Sequence, residues 1–250
     1  MKSKVTLIAL AVATLSSGVA FAQAKAPEPA YTLAYNAGLV SDYRFRGISQ
    51  TRLKPALQGG ADFTHNSGLY LGVWASSIKV LKDIPGGKGS VELDLYGGFR
   101  GAVTEALAFD VGVLRYQYPS QNFTPTVNTT ELYGALTYGP VTVKYSSSVG
   151  KQTFGVGNSR GTGYLEAAAT FDLGNGFSVV PHIGRQDFHG SGNNAASYTD
   201  YSVALNKDFG NGLVGSFTIV DTNAGSFYTS PANGKDLGKA GVVLGVKYNF

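Results

Sequence analysis

Apolar and polar side chains alternate along most of this chain. The last ten residues show it most simply: Val242, Leu244, Val246, Tyr248 and Phe250 fall on one face, and Gly241, Val243, Gly245, Lys247 and Asn249 on the other. Leu69, Leu71, Val73 and Ala75 likewise oppose Tyr70, Gly72, Trp74 and Ser76. Val91, Leu93, Leu95 and Phe99 oppose Glu92, Asp94, Gly98 and Arg100, and Leu165, Ala167, Ala169 and Phe171 oppose Tyr164, Glu166, Ala168 and Thr170. A period of two is that of a β-strand with one greasy and one wet face. Twelve such strands are predicted, at 31–41, 55–64, 69–77, 90–100, 107–117, 129–138, 141–149, 162–171, 177–186, 199–208, 213–221 and 240–250. Ten strands is the alternative, because Pro181 lacks the N–H that a ladder needs or else marks a bulge.

The connections alternate in length. Long ones fall near 42–54, 78–89, 118–128, 150–161, 187–198 and 222–239, and short ones at 65–68, 101–106, 139–140, 173–176 and 209–212. Asn175–Gly176 and Asn211–Gly212 are tight-hairpin steps. A soluble sandwich has no reason to alternate its loops so regularly. An even strand number with short periplasmic turns and long outer loops is the bacterial membrane-barrel arrangement. The expected fold class is therefore all-β: a transmembrane antiparallel β-barrel of 12 strands.

Charge placement agrees with that phase. Glu92, Asp94, Asp110, Glu131, Lys144, Glu166 and Lys247 fall opposite the greasy face, as does Arg100. In a barrel that wet face is the lumen, because a charge at mid-membrane on the lipid side costs about 2–4 kcal/mol. Arg115 and Lys207 depart from the pattern, but near strand ends their long side chains reach headgroups.

The first residues carry an export signal. Lys2 and Lys4 precede an apolar run from Val5 to Ala13, broken only by Thr6, and Ala20–Phe21–Ala22 forms a cleavage site before Gln23. The expected organisation is a signal peptide at 1–22, a periplasmic lead-in at 23–30 and a barrel at 31–250. No later stretch reaches the roughly 18 apolar residues of a membrane helix, whereas a barrel strand needs only about 9–11, half of them apolar. There is no Cys, so no disulfide framework supports the fold. Gly (34) and Tyr (15) are abundant, which suits tight turns in a curved sheet and a membrane interface. Loss of Lys2 and Lys4 leaves 18 basic against 16 acidic residues, a net charge of +2 that argues for no nucleic-acid partner.

Catalytic chemistry is not signalled. His65, His182 and His189 have no metal-ligand spacing, so no metal or cofactor is expected. Ser178 lies on the strand face of His182, but four strand residues span about 13 Å, too far for a direct bond. Glu92 and Asp94 stand about 6.6 Å apart along one strand. Luminal solvation, or an ion-pair lattice to Lys144, Arg100 or Lys247, explains them better than paired-carboxylate catalysis. The first long loop carries a basic cluster of Arg44, Arg46, Arg52 and Lys54. It either meets anionic groups at the surface or is pinned back by its own Arg and Tyr hydrogen bonds, which is the favoured reading.

Specific stretches include Ser41–Asp42–Tyr43–Arg44–Phe45–Arg46–Gly47–Ile48–Ser49–Gln50–Thr51, Pro55 to Gly60, Ser67 to Ser77 and Glu92 to Gly98. Tyr116–Gln117–Tyr118–Pro119, Glu131–Leu132–Tyr133 and the terminal Lys247–Tyr248–Asn249–Phe250 extend the set. Together they resemble the TorF family of exported proteobacterial porins across essentially all of the chain after the export signal. The resemblance implies an outer-membrane barrel in a Gram-negative bacterium; it brings no substrate or site with it.

The expected function is passive diffusion of small hydrophilic solutes or ions, without catalysis. The alternative is a structural or surface-contact barrel without an open channel. Candidate pore-lining residues are Tyr70, Trp74, Glu92, Asp94, Arg100, Asp110, Glu131, Lys144, Glu166 and Lys247, with Tyr164 as a further narrowing side chain. The expected partners are outer-membrane lipids, lipopolysaccharide included, and the solutes themselves. Five acids against three bases among the charged wall positions imply mild cation preference, opposed by a basic outer mouth.

Overall fold

Each alternating segment forms a strand in the computed structural model, which describes residues 29–250. The export signal and most of the lead-in lie outside the described residues. The strands are β1 (Tyr31–Val40), β2 (Ala56–His65), β3 (Leu69–Ser77), β4 (Val91–Ala102), β5 (Leu107–Gln117) and β6 (Thr129–Tyr138). They continue as β7 (Val141–Ser148), β8 (Gly163–Ala169, resuming at Phe171–Gly174), β9 (Phe177–Asp187), β10 (Tyr198–Gly210), β11 (Leu213–Thr222) and β12 (Gly241–Asn249). All neighbours are antiparallel, and β1 pairs with β12, so twelve strands close a barrel with no open edge. The seam runs from Asn36↔Asn249 to Val40↔Gly245, extended by Phe250 N–H to Tyr35 O at 2.9 Å and Ser41 N–H to Leu244 O at 2.8 Å. Closure is what a lipid environment demands, since an unpaired edge there leaves backbone groups without partners.

Pro181 does not break the count. The ladder between β9 and β10 runs through Pro181↔Val203, and the register between β8 and β9 is the same before and after Thr170, from Ala168↔His182 to Phe171↔Val179. Only the pairing at Ala169–Thr170, opposite Pro181, is missing. The proline's absent N–H leaves a local gap in one strand and creates no extra one.

The middle of the outward face is an apolar belt, and the outward-phase charges Arg115, Arg185, Lys207 and Asp221 lie near strand ends. Leu71 is 64 % exposed, Leu136 55 % and Ile219 55 %, with Leu69, Leu95, Leu165, Leu244 and Val246 similarly bare. A soluble monomer does not expose such a continuous belt. Aromatic rings collect outside near the short turns, where Tyr31 stacks on Phe63 at 5.6 Å and Phe99 meets Phe109 at 5.7 Å. Such girdles mark a membrane interface. Lys207 runs over the rings of Phe177 and Phe209 there, carrying its charge away from the apolar belt.

Turns and loops differ as the sequence suggests. Asn175 and Gly176 take φ of 52° and 76°, and Asn211 and Gly212 take 50° and 84°, the double left-handed geometry that two-residue hairpins require. The long loops gather at the opposite end. The first of them, residues 41–55, folds back into the barrel, where Arg44–Phe45 pairs with Ile48–Ser49 in a small hairpin. Its tip, Arg46–Gly47, lies in the left-handed region, and a Cβ on Gly47 would overlap Asp200 and Thr222 on the far wall. Buried loop backbone must find partners. Here Ser49 and Thr51 donate to Asp42 at 2.5 and 3.0 Å, and Ser49 N–H reaches Leu237 O at 2.9 Å. An apolar cluster of Tyr43, Ala56, Ile78, Leu81, Tyr116, Tyr118 and Val127 packs the outer half of the interior beside it.

Candidate functional site

The in–out phase of the strands turns one row of polar side chains into the lumen, and the first outer loop closes over them. Arg46 reaches the centre. Its guanidinium donates to both carboxylate oxygens of Glu131, at 3.0 and 2.7 Å, and to Gln186 Oε1 at 2.7 Å. The ring of Tyr164 lies 4.1 Å beneath it and that of Phe45 4.9 Å away. Burial works against the Arg46 charge, but Glu131 outweighs it and holds the group more firmly protonated than usual. One loop residue thus ties together β6, β8 and β9.

A cavity of about 540 Å³ lies under this tip. Arg44, Phe45 and Arg46 bound it above, Trp74, Tyr116 and Tyr164 line its walls, and Lys144, Glu166, His182 and Asp200 face it from β7 to β10. His182 sits between two carboxylates, with Nε2 3.1 Å from Glu166 and Nδ1 3.5 Å from Asp200. Tyr164 donates to Asp200 at 2.9 Å, and Lys144 Nζ lies 4.0 Å from Glu166. A larger hollow of about 740 Å³ lies on the outward face among Leu71, Phe99 and Val113, where apolar surface offers lipid contact rather than chemistry.

The other predicted wall residues form smaller groups. Tyr70 donates to Asp110 at 2.5 Å and touches the Tyr133 hydroxyl, while Arg100 lies 5.1 Å from the Tyr70 ring and donates to Thr64 at 3.0 Å. Trp74 packs 5.4 Å from Tyr43. Lys247 faces inward from β12, cross-strand from Gly38. Glu92 accepts from the Tyr43 hydroxyl at 2.8 Å. Burial, then Glu92 and Asp94, push the Tyr43 phenol well above its usual range, so it remains a donor. Neither Glu92 nor Asp94 joins the expected ion-pair lattice; Glu166 does, through Lys144.

The basic loop cluster divides. Lys54 is exposed, whereas Arg44 is held by Asp42 and three backbone carbonyls, and Arg52 by the buried Asp83. Asp42 and Asp83 are buried as the partners of these arginines. The pinned-loop reading describes three of the four basic residues. Asp62, Tyr96, Tyr133 and Asp200 are wall residues that the sequence reading did not single out. Asp62 and Asp200 share the inward phase of their strands, which was a usable signal. The tyrosines had another: Tyr70, Tyr96 and Tyr133 stand directly cross-strand from Gly98, Gly72 and Gly112. In each pair a Cβ on the glycine would overlap the tyrosine side chain, so glycine there makes room for an inward ring.

The fold has solved relatives. The NanC porin superposes with a TM-score of 0.56 at 9 % identity, covering 88 % of this chain and 99 % of that one. The KdgM porin does so with a TM-score of 0.55 at 8 % identity, over 87 % and 98 %. At such identities the likeness establishes the porin-like outer-membrane barrel fold. A comparison with the curated proteins found no match. A family model, described as a bacterial protein of unknown function (Gcw_chp), matches residues 23–250, and this barrel with its inward-folded first loop belongs to that family.

Proposed function

We propose that the protein is an outer-membrane channel for passive diffusion of small hydrophilic solutes or ions, constricted by its first outer loop. The observation that carries this reading is the charged cavity of about 540 Å³ beneath Arg46, inside a barrel whose outside carries an apolar belt. A water-filled lumen with fixed charges of both signs passes solutes by size and charge and needs no cofactor. The resemblance of the Tyr43 to Gln50 run to TorF porins supports the same reading, as it does a place in the Gram-negative outer membrane among lipopolysaccharide. A second reading, a surface-contact barrel without a channel, is favoured by the apolar cluster around Tyr116 that packs the outer half.

Planar-bilayer recording of the purified barrel separates the two. Discrete conductance steps are expected, with larger steps in Arg46→Ala, because loss of the Glu131 and Gln186 bonds frees the loop tip. A tight bilayer for both proteins, with intact barrels shown by heat-dependent gel migration, would favour the surface-contact reading.

A further inference from the structure

The cavity beneath Arg46 has two kinds of lining. The charged groups that face it are engaged with one another. Arg46 is committed to Glu131 and Gln186, and Arg44 to Asp42 and three backbone carbonyls. Lys144 lies 4.0 Å from Glu166, which holds His182 Nε2 at 3.1 Å, and Asp200 takes the Tyr164 hydroxyl and faces His182 Nδ1. A charged solute that sheds water here finds no counter-charge that is not already shared, which is costly. The rest of the lining is neutral. Ser202 of β10, with Ser216 and Thr218 of β11, brings half-buried hydroxyls to the cavity. Among the described residues none of these three hydroxyls makes a hydrogen bond. Val220 and Val243 line the cavity beside them, and Val243 stands directly cross-strand from Thr218. Gly245, cross-strand from Ser216, keeps that hydroxyl clear, since a Cβ there would lie 2.5 Å from Ser216 Oγ. Half-buried Trp74 of β3 adds an aromatic ring to the same cavity.

We propose that this cavity binds a neutral, polyhydroxylated solute of monosaccharide size. Serine and threonine hydroxyls both donate and accept, so they pair with the hydroxyls of such a solute in either direction. A sugar ring also has C–H faces, and Val220, Val243 and Trp74 offer the aliphatic and aromatic surface that takes them. Because the solute carries no charge, it leaves the chain of contacts from Lys144 through Glu166 and His182 to Asp200 as it stands. Apolar walls with a few placed polar groups, in a volume of about 300–1,000 Å³, are what small-molecule sites are made of. At about 540 Å³ the cavity falls within that range. The proposal deepens the channel reading by naming the class of solute, and rests on it for the solute's entry into the lumen.

Trp74 is the only tryptophan of the chain and lines the cavity, so it reports on the site. Purified barrel in detergent is titrated at neutral pH with glucose, with anionic glucuronate and with cationic glucosamine, at matched ionic strength. The three rings are alike in size and differ in charge. A saturable change in Trp74 emission is expected with glucose, and binding weaker by about tenfold or more with either charged analogue. Thr218→Val keeps the branched shape and removes the hydroxyl. It and Ser216→Ala should each weaken glucose binding by about three- to tenfold, the worth of one hydrogen bond. Heat-dependent gel migration shows that each variant is folded; if one is not, the other decides. The proposal is overturned by the absence of a saturable glucose response, by equal binding of either charged analogue, or by undiminished glucose binding in a folded variant. Conductance steps in planar bilayers without a glucose response would strike this proposal and leave the channel reading standing. A saturable glucose response beside a tight bilayer would support the site and strike the channel reading.

Discussion

A glycine facing a tyrosine is the smallest unit of this interior. Gly72 has no side chain because the Tyr96 ring, tied to Asp62 by a 2.5 Å bond, occupies the space a Cβ would need. Gly72→Ala should therefore destabilise the barrel by about 1–3 kcal/mol through overpacking. Tyr96→Ala in the same chain should recover part of that loss. Urea unfolding of the two single variants and the double variant, followed by gel migration, measures it, and a coupling of about 0.5 kcal/mol or more is expected. Additive losses would mean that ring and glycine do not compete for space. At this scale the sequence was partly legible. The inward acids Glu92, Asp94, Asp110, Glu131 and Glu166 are placed by alternation alone. The Tyr–Gly pairs are not, because register between strands decides which glycine meets which ring.

Among the elements, strands and turns were the most legible and loops the least. A strand's facing repeats every two residues, and a two-residue turn needs left-handed backbone, so both leave local marks such as Asn175–Gly176. Pro181 looked like evidence against a strand. It instead marks one missing ladder bond toward β8, where pairing lapses at Ala169–Thr170 while the β10 side continues. Pro181→Val should restore that bond and stabilise the barrel by about 0.5–1.5 kcal/mol, with a side chain suited to the outward face. The same unfolding assay checks this; an unchanged midpoint would place the gap's cause elsewhere. The first outer loop gave no such local sign. Its arginines read as a surface cluster or, as favoured, as ties that pin the loop back, but no local pattern names their partners Glu131, Gln186 and Asp83.

For the whole molecule, the balance of fixed charge sets what passes. The barrel interior presents Asp62, Glu92, Asp94, Asp110, Glu131, Glu166 and Asp200 against Arg46, Arg100, Lys144 and Lys247, seven acids to four bases. The outer mouth opposes this with exposed Lys54, Lys79, Lys82, Lys88, Lys151, Arg160, Lys235 and Lys239. Exposed charges are screened over about 8 Å at physiological salt, whereas charges in a narrow lumen are screened less. Weak cation selectivity is therefore expected at about 0.15 M salt. It should be weaker at low salt, where the mouth attracts anions over a longer range. Reversal potentials across KCl gradients at two ionic strengths check both parts. Firm anion selectivity at the higher salt would place the narrowest point at the lysine rim rather than beneath Arg46.

What the sequence determined by itself was everything that repeats locally: twelve strands, their in–out phase, the tight turns and the even, alternating connections that let a sheet close. These follow from the two-residue period and from steric limits on single residues, which act whatever the rest of the chain does. The tertiary structure alone decided the interior. Which acid finds Arg46, which tyrosine covers which glycine, and why Glu92 and Asp94 are left without a counter-charge depend on contacts between distant residues such as Arg46 and Glu131, separated by 85 positions. Such contacts arise from closure and from a loop turned inward, and no local pattern records where a loop will come to rest.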